Sequence, residues 1–255
     1  MIPKNLTGFY SAAERLSYHP KEIFLLKRIG LKKLIAYDDR FLEVSKILTD
    51  LITVSSKKLK VLDIGVGDAV YESMIPANLR KKCQFYGVDI SPKQIKRAQK
   101  YLFEGRIVDL NIQKLPYPKH FFDLIIISEI LEHVFSPNEV LQNADFVLKP
   151  GGFILLTYPN SGALQLRLSL LFTGRSVMLN YPQNQQHIRF FSTKDILFML
   201  GKNYKVINSK GLSSFLFDRW NFFAKIPMPR ILEIIGNKYL KNLALGSLLL
   251  VEKKK

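Results

Sequence analysis

The densest chemistry in the sequence lies in one short run, Ser128-Glu129-Ile130-Leu131-Glu132-His133. Read as a helix, it sets Glu129, Glu132 and His133 at i, i+3 and i+4, on one face. Two carboxylates and an imidazole so placed can ligate a divalent ion or serve as acid–base groups. His187, in Gln186-His187-Ile188-Arg189-Phe190, belongs to a long excursion that returns over the same edge. It suits the part of a fourth ligand or of the general base. A plainer reading stays open for each: a glutamate that satisfies backbone donors, and a histidine making one backbone hydrogen bond.

A second set of residues points to a nucleoside. Leu59–Asp68 reads LKVLDIGVGD, a short apolar run ending in Gly65-Val66-Gly67. That is how a buried strand enters a tight turn before a helix, and a Cβ there would block the turn or keep a ligand off the backbone. The dinucleotide fingerprint needs a third glycine three residues on, where this chain has Val70. The next strand, Gln84–Ile90, ends in Asp89, 22 residues after Gly67. An acid at about 20 residues accepts hydrogen bonds from ribose hydroxyls. Without the third glycine, the pattern suggests an adenosine ligand lacking a pyrophosphate, and S-adenosylmethionine fits.

LDIGVGDA, YGVDIS, FDLIIISEILEHV and LKPGGFILLTYPN, in this order, resemble the class I S-adenosylmethionine-dependent methyltransferases. The likeness is close over about residues 45–160 and loose over 187–251. It implies an α/β fold with a doubly wound, seven-stranded, mostly parallel sheet. It also implies cofactor contacts at Asp63, Gly65, Gly67, Asp89 and Ile90. Asp109 would accept from the adenine amino group, with Leu110 beside the ring, and Ser128 would lie near the methionine part. After Gly67 the family has a small residue and then glycine; here Asp68-Ala69 stands instead. The E-x-x-E-H pattern with a later histidine is similar to ubiquinone-biosynthesis O-methyltransferases and to metal-dependent small-RNA 2′-O-methyltransferases. Carried over, Glu129, Glu132, His133 and His187 would hold a divalent metal that activates a hydroxyl. A metal-free base, His133 or His187 with Glu129 beside it, is the alternative. Tyr158-Pro159-Asn160 with the later His-x-Arg-Phe also resembles methyltransferases of bacterial and archaeal glycan pathways.

The elements that must position these groups are legible. Residues 39–54 carry Phe41, Val44, Leu48 and Leu51 at helical spacing. A helix is expected over Ala69–Leu79, and Ser91-Pro92 starts another, with Ser as N-cap and Pro at the first helical position. Strands are expected at Arg106–Asp109, Phe122–Ser128 and Phe153–Tyr158. A helix over Asn138–Leu148 and a turn at Lys149–Gly152 separate the last two. Ser192 and Asp195 form a capping box for Thr193–Leu200. Tyr204–Asn208 and an antiparallel Leu245–Val251 would end the sheet. Residues 1–37, including a possible helix Lys21–Tyr37, are expected to be a lid on a methyltransferase domain spanning 38–255. Two excursions, 160–191 and 209–244, exceed what a minimal fold needs. Each leaves from a strand's carboxyl end, where ligands bind in open α/β sheets. Both are apolar and basic, with Leu168, Leu170, Leu171 and Phe172 in the first and Phe215, Phe217, Arg219, Trp220 and Lys225 in the second.

Composition narrows the class. The chain has 255 residues, 47% of them hydrophobic, enough for one large domain. Its net charge of +17 favours anionic partners such as nucleic acid, anionic lipid or a phosphorylated substrate, although lysine-rich chains are often simply soluble. A single cysteine, Cys83, excludes an internal disulfide and fits a reducing compartment, so a cytoplasmic location, peripheral to a membrane or not, is expected. No stretch reaches the ~20 apolar residues of a bilayer span. The expected activity is methyl transfer to the hydroxyl of a small, lipid-like or glycan acceptor. The rivals are an RNA 2′-O-methyltransferase and a non-catalytic cofactor-fold interaction protein.

Overall fold

The computed structural model describes residues 38–175, 187–212 and 238–255. The expected lid over 1–37 and the aromatic stretch from Phe215 to Lys225 lie outside those residues. Seven strands form one sheet in the order β3-β2-β1-β4-β5-β7-β6. They are β1 (Leu59–Ile64), β2 (Cys83–Asp89), β3 (Glu104–Ile107), β4 (Phe122–Ser128), β5 (Leu148–Pro159), β6 (Tyr204–Leu212) and β7 (Gly246–Lys253). β1 to β5 pair in parallel, and β7 runs antiparallel to both β5 and β6. This is the doubly wound, mostly parallel sheet that the resemblance implied.

Both faces are covered, so the central strands are apolar throughout. On one face Leu62, Ile64, Ile125, Ile127 and Leu156 pack against α5 (Pro137–Val147) and α7 (Thr193–Leu200). On the other, Val61, Phe85, Leu124, Ile126 and Leu155 meet α1 (Asp38–Val54) through Val44, Leu48 and Ile52. The period-2 alternation of β1 therefore sends Asp63 to the α1 face, the same side as Val61. Ser91 caps α4 (Pro92–Ala98), accepting from the Gln94 N–H at 3.4 Å, and the Ser192–Asp195 capping box of α7 is complete.

Several expectations change. β3 starts at Glu104 and ends before Asp109, and β6 runs on to Leu212, so the second excursion leaves the sheet there and not at Ser209. The helix after the glycine turn is two short pieces, α2 (Val70–Met74) and α3 (Ala77–Arg80). Pro76 divides them, because the residue before a proline is driven out of the helical region and Ile75 adopts ψ 130°. The Lys149–Gly152 turn is absorbed into β5 as an irregularity: Phe122 faces Leu148 while Leu124 faces Phe153. Gly151, at φ 73°, lets the extra residues loop out. Glu129 is not helical. It follows β4 at φ 54°, and only Leu131–His133 turn, as a 3₁₀ helix.

At the opposite edge Asp123 ties three segments together. Its Oδ1 accepts from Lys57 Nζ (2.8 Å) and Lys149 Nζ (2.9 Å), and its Oδ2 from the Lys60 N–H (2.9 Å). Burial opposes ionisation here, but these hydrogen bonds outweigh it and hold the carboxyl below its usual range. A depressed carboxylate contributes stability that is present above its unfolded value of about 3.9 and lost as pH falls through the lower folded value. Asp123→Ala is expected to cost about 1.5–3 kcal/mol at neutral pH. Thermal melts should show the difference from the parent narrowing below about pH 4; a gap independent of pH would refute the charge-based account.

Candidate active site

The glycine turn and the ends of β2, β3 and β4 form a cleft open to solvent. Gly65, Asp89, Ile90, Asp109 and Leu110 line it, with Val88, Val108, Asn111, Ile130, His133 and Val134. Gly65 has φ 76°, and a Cβ on it would sit 2.0 Å from Ile130 Cδ1. The turn is therefore closed over by the segment that follows β4. Ala69, where the family has glycine, also takes a left-handed φ of 55°, a conformation that costs an alanine about 1 kcal/mol. Asp68 faces Arg97 at 3.5 Å, which answers its charge.

Asp89 organises this wall. Its Oδ2 accepts from the Gly67 N–H (3.0 Å) and its Oδ1 from the Ser91 N–H (2.9 Å). A carboxylate has about four acceptor sites, so it can hold the loop and still take two ribose hydroxyls. Asp109 Oδ1 accepts from the Asn111 N–H and Nδ2 (2.9 and 3.1 Å). Asn111 Oδ1 in turn accepts from the Phe135 N–H at 2.8 Å, tying this side of the cleft to the segment after β4. Nothing in the local pattern around Asn111 signals that role, because its partner is 24 residues away.

Asp63, Gly67 and Ser128 are not among the cleft's walls. Asp63 is buried against Glu72 of α2. The Ser128 hydroxyl lies 2.6 Å from that of Tyr71 and 2.7 Å from that of Thr157. Thr157 Oγ1 donates to Glu129 Oε1 (3.2 Å), and Arg40 Nη1 of α1 is 3.1 Å from Glu129 Oε2. A continuous polar network thus joins α1, α2, β4 and β5. Arg40, Tyr71 and Thr157 escaped the sequence reading because they meet only in the fold.

The structure brings Glu132, His133 and His187 together and leaves Glu129 to Arg40. The left-handed turn at Glu129 breaks the single helical face on which the four-ligand set was based. One ligand atom from each of the three lies within 4.8 Å of the others. The His133 and His187 rings stand edge to face, 4.7 Å between centroids. The placement of His187 is backbone work: the Ile188 and Arg189 N–H groups donate to the Glu132 carbonyl (2.9 and 3.2 Å), and Arg189 Nη2 donates to the Phe135 carbonyl (2.9 Å). Burial holds the His187 imidazole below its usual range, against a smaller opposing pull from Glu129. A neutral, buried imidazole with Nδ1 lacking a hydrogen-bond partner suits either a base or a ligand.

The methyltransferase domain family matches residues 62–156, the strand–turn–strand core that carries this cleft. Over those residues the chain is similar to that family, and its sheet has the class I methyltransferase fold. The chain is 25% identical over 173 residues to the mitochondrial ubiquinone biosynthesis O-methyltransferase of Saccharomyces cerevisiae, covering 64% of this chain and 55% of that one. It is 27% identical to the 27-O-demethylrifamycin SV methyltransferase of Amycolatopsis mediterranei, over 51% of this chain and 52% of that one. The chain spans about half the length of the curated relatives it matches. Among solved structures, a S-adenosylmethionine-dependent methyltransferase of Mesorhizobium loti superposes with a TM-score of 0.52 at 14% identity, covering 82% of this chain and 98% of that one; this speaks for the fold alone.

Proposed function

We propose that this methyltransferase transfers a methyl group from S-adenosylmethionine to a hydroxyl of a small, lipid-like or glycan acceptor. The observation that carries the reading is the junction of the nucleoside cleft with the Glu132–His133–His187 cluster: His133 belongs to both. When bound, S-adenosylmethionine supplies a methyl already made electrophilic by its sulfonium. Asp89 and Asp109, both lining the cleft, would orient the nucleoside. A hydroxyl attacks only as its proton leaves, since its pKa is far above 7, so the reaction needs a group at the cluster to take that proton. In that reaction a ring nitrogen of the cluster, on His133 or His187, would take the acceptor's proton.

The same three residues fit a divalent ion. A carboxylate and two imidazoles converge, one imidazole with a buried nitrogen lacking a partner, and such donors suit ions of the zinc, manganese or iron type. Bound there, an ion would lower the pKa of an acceptor hydroxyl. The apolar character of the acceptor is supported by α6 (Leu164–Thr173) in the first excursion. It turns Gln165 and Ser169 inward and leaves Leu170, Leu171 and Phe172 exposed. Among the described residues no helix is long and apolar enough to cross a membrane.

The test is a calorimetric titration with S-adenosylhomocysteine, then transfer of radiolabelled methyl to a panel of polyprenyl phenols, free and lipid-linked glycans, and short RNA. Binding near one per chain with labelling of a hydroxyl in the first two groups is expected. Labelling of RNA would move the acceptor to the second reading, which the charge of +17 favours. A folded protein that binds no S-adenosylhomocysteine would overturn the enzyme reading.

A further inference from the structure

Lysines crowd the amino edge of the sheet, the end opposite the cleft. The parallel strands β1, β2, β4 and β5 begin at this edge, as β6 does, and the antiparallel β7 ends at it. Lys57-Lys58 lead into β1 and Lys81-Lys82 into β2, and the Leu59 N–H donates to the Lys82 carbonyl at 3.0 Å. Lys119 precedes β4 and sits beside the end of α5, because the His120 N–H donates to the Phe146 carbonyl at 3.0 Å. Farther along, Lys254 and Lys255 leave β7. The Lys254 N–H donates to the Asn203 carbonyl at 2.8 Å, next to Lys202, and Lys255 Cε lies 3.5 Å from where a Cβ on Gly151 would stand. Five strand spacings separate β2 from β6. At ~4.8 Å each, the row is about 24 Å long.

Most of this charge is unanswered. Asp123 is taken by Lys57 and Lys149, and Asp145 by Lys253 at 2.9 Å. Asp50 and Glu252, the other acids near this edge, hold no lysine among the described residues, and no described carboxylate reaches Lys58, Lys81, Lys82, Lys119, Lys202 or Lys254. The helices run back against the strands, so the last turns of α1, α5 and α7 arrive at the same edge. Each presents an apolar side chain to solvent there: Val54 is 80% exposed, Phe146 51% and Phe198 88%. α1 covers one face of the sheet and the other two helices the opposite face, so apolar groups flank the lysine row on both sides.

We propose that this edge docks the protein on an anionic lipid surface. A bilayer accepts cations and apolar side chains over one plane. Its negative surface potential attracts the lysines, and the phenylalanines enter the boundary between headgroups and acyl chains. A nucleic-acid strand following the row would leave the flanking apolar side chains in water, and phosphate recognition favours the planar fork of arginine. The cations of the row are lysines; Arg80, next to it, turns instead to the Glu72 carbonyl and the Tyr101 ring. The docking is independent of the methyl-transfer reading. β1 has six residues, so the cleft at its far end stands about 20 Å from the docked edge. It stays open to the aqueous side, and a docked protein takes its ligands from there.

The experiment is co-sedimentation of the full chain with vesicles of phosphatidylcholine alone or mixed with phosphatidylglycerol. At about 0.1 M salt, partition onto the anionic vesicles should exceed that onto the neutral ones by about tenfold or more, and it should collapse at about 1 M, where the screening length falls to ~3 Å. Each lysine near the surface contributes about fivefold. Lys82→Gln, Lys119→Gln and Lys254→Gln together should therefore lower partition by more than about tenfold. Lys93→Gln, Lys96→Gln and Lys100→Gln, which remove the same charge from α4 and the turn after it, should lower it by less than about threefold. Phe198→Ser should weaken it by about threefold or more, as an apolar anchor is lost. Equal partition onto both kinds of vesicle, or onto neither, overturns the inference. Equal falls in the two triple variants overturn it too, since net charge and not this edge would then be responsible. A protein that stays on a short RNA duplex in the presence of excess anionic vesicles gives the edge to nucleic acid, and a Phe198→Ser variant that partitions like the parent removes the bilayer as occupant. Should a variant fail to fold, as judged by circular dichroism, the lipid and salt dependence of the unmodified protein decides.

Discussion

Asp89→Ala weakens S-adenosylhomocysteine binding by roughly 1.5–3 kcal/mol, a factor of about 10–150, the size expected for hydrogen bonds made by a charged group. Two losses combine in the same direction. The ribose loses its acceptor, and the glycine turn loses its tether, because Asp89 is what receives the Gly67 and Ser91 N–H groups. The two can be separated. Asp89→Asn keeps one acceptor oxygen but replaces the other with a donor that faces an N–H. It should therefore lose nearly as much affinity as alanine, although its volume is conserved. Calorimetry gives both affinities, and an alanine variant that binds like the parent would remove Asp89 from the site.

Replacing His187 or Glu132 acts on turnover instead. His187→Ala and Glu132→Gln are each expected to lower kcat by about 10²–10⁴-fold, the span attributed to positioned proton transfer. S-adenosylhomocysteine affinity should stay within about threefold, since neither side chain lines the nucleoside cleft. Loss of activity on dialysis against a chelator, restored by a divalent ion, is expected from the three converging donors. Activity that survives chelation would instead make His187 a metal-free base, and Glu132→Gln would then fall by less than His187→Ala. Equal losses of turnover and cofactor affinity in His187→Ala would reassign the residue to structure.

How much of this was legible beforehand follows from the range of each interaction. The sheet was, because parallel strands buried on both faces announce themselves as apolar runs between turns. The wall of the cleft was, because a glycine turn and an acid one strand later are local patterns. Chain continuity through Lys149–Gly152 was not, since whether prolines and glycines end a strand or bulge out of it depends on the partner strand. The grouping of Glu129 with Glu132 and His133 failed at one dihedral angle: periodicity assumes a helix, and a left-handed residue turns the carboxylate to another neighbour. Arg40, Asn111 and Glu72 went unremarked because each gains its meaning from a residue that only folding brings near, such as Glu129 for Arg40.

Asn160 adds a consequence for how such a chain diversifies. Its buried amide donates to the Asn242 and Ala244 carbonyls (2.9 and 2.8 Å) and accepts from the Gly162 N–H (2.9 Å). Its own N–H donates to Leu245, and the Ser161 N–H donates to Phe191. Leu212, where the second excursion leaves the sheet, pairs with Gly246, where it rejoins. All four ends of the two excursions are thus fastened at one buried seam. Each excursion is a closed cassette whose interior can change length and sequence while the sheet sees the same two ends. On the acceptor reading proposed above, exchange of such cassettes between relatives would alter which acceptor is admitted and leave the cleft wall as it was, a modular route by which one scaffold acquires new specificities.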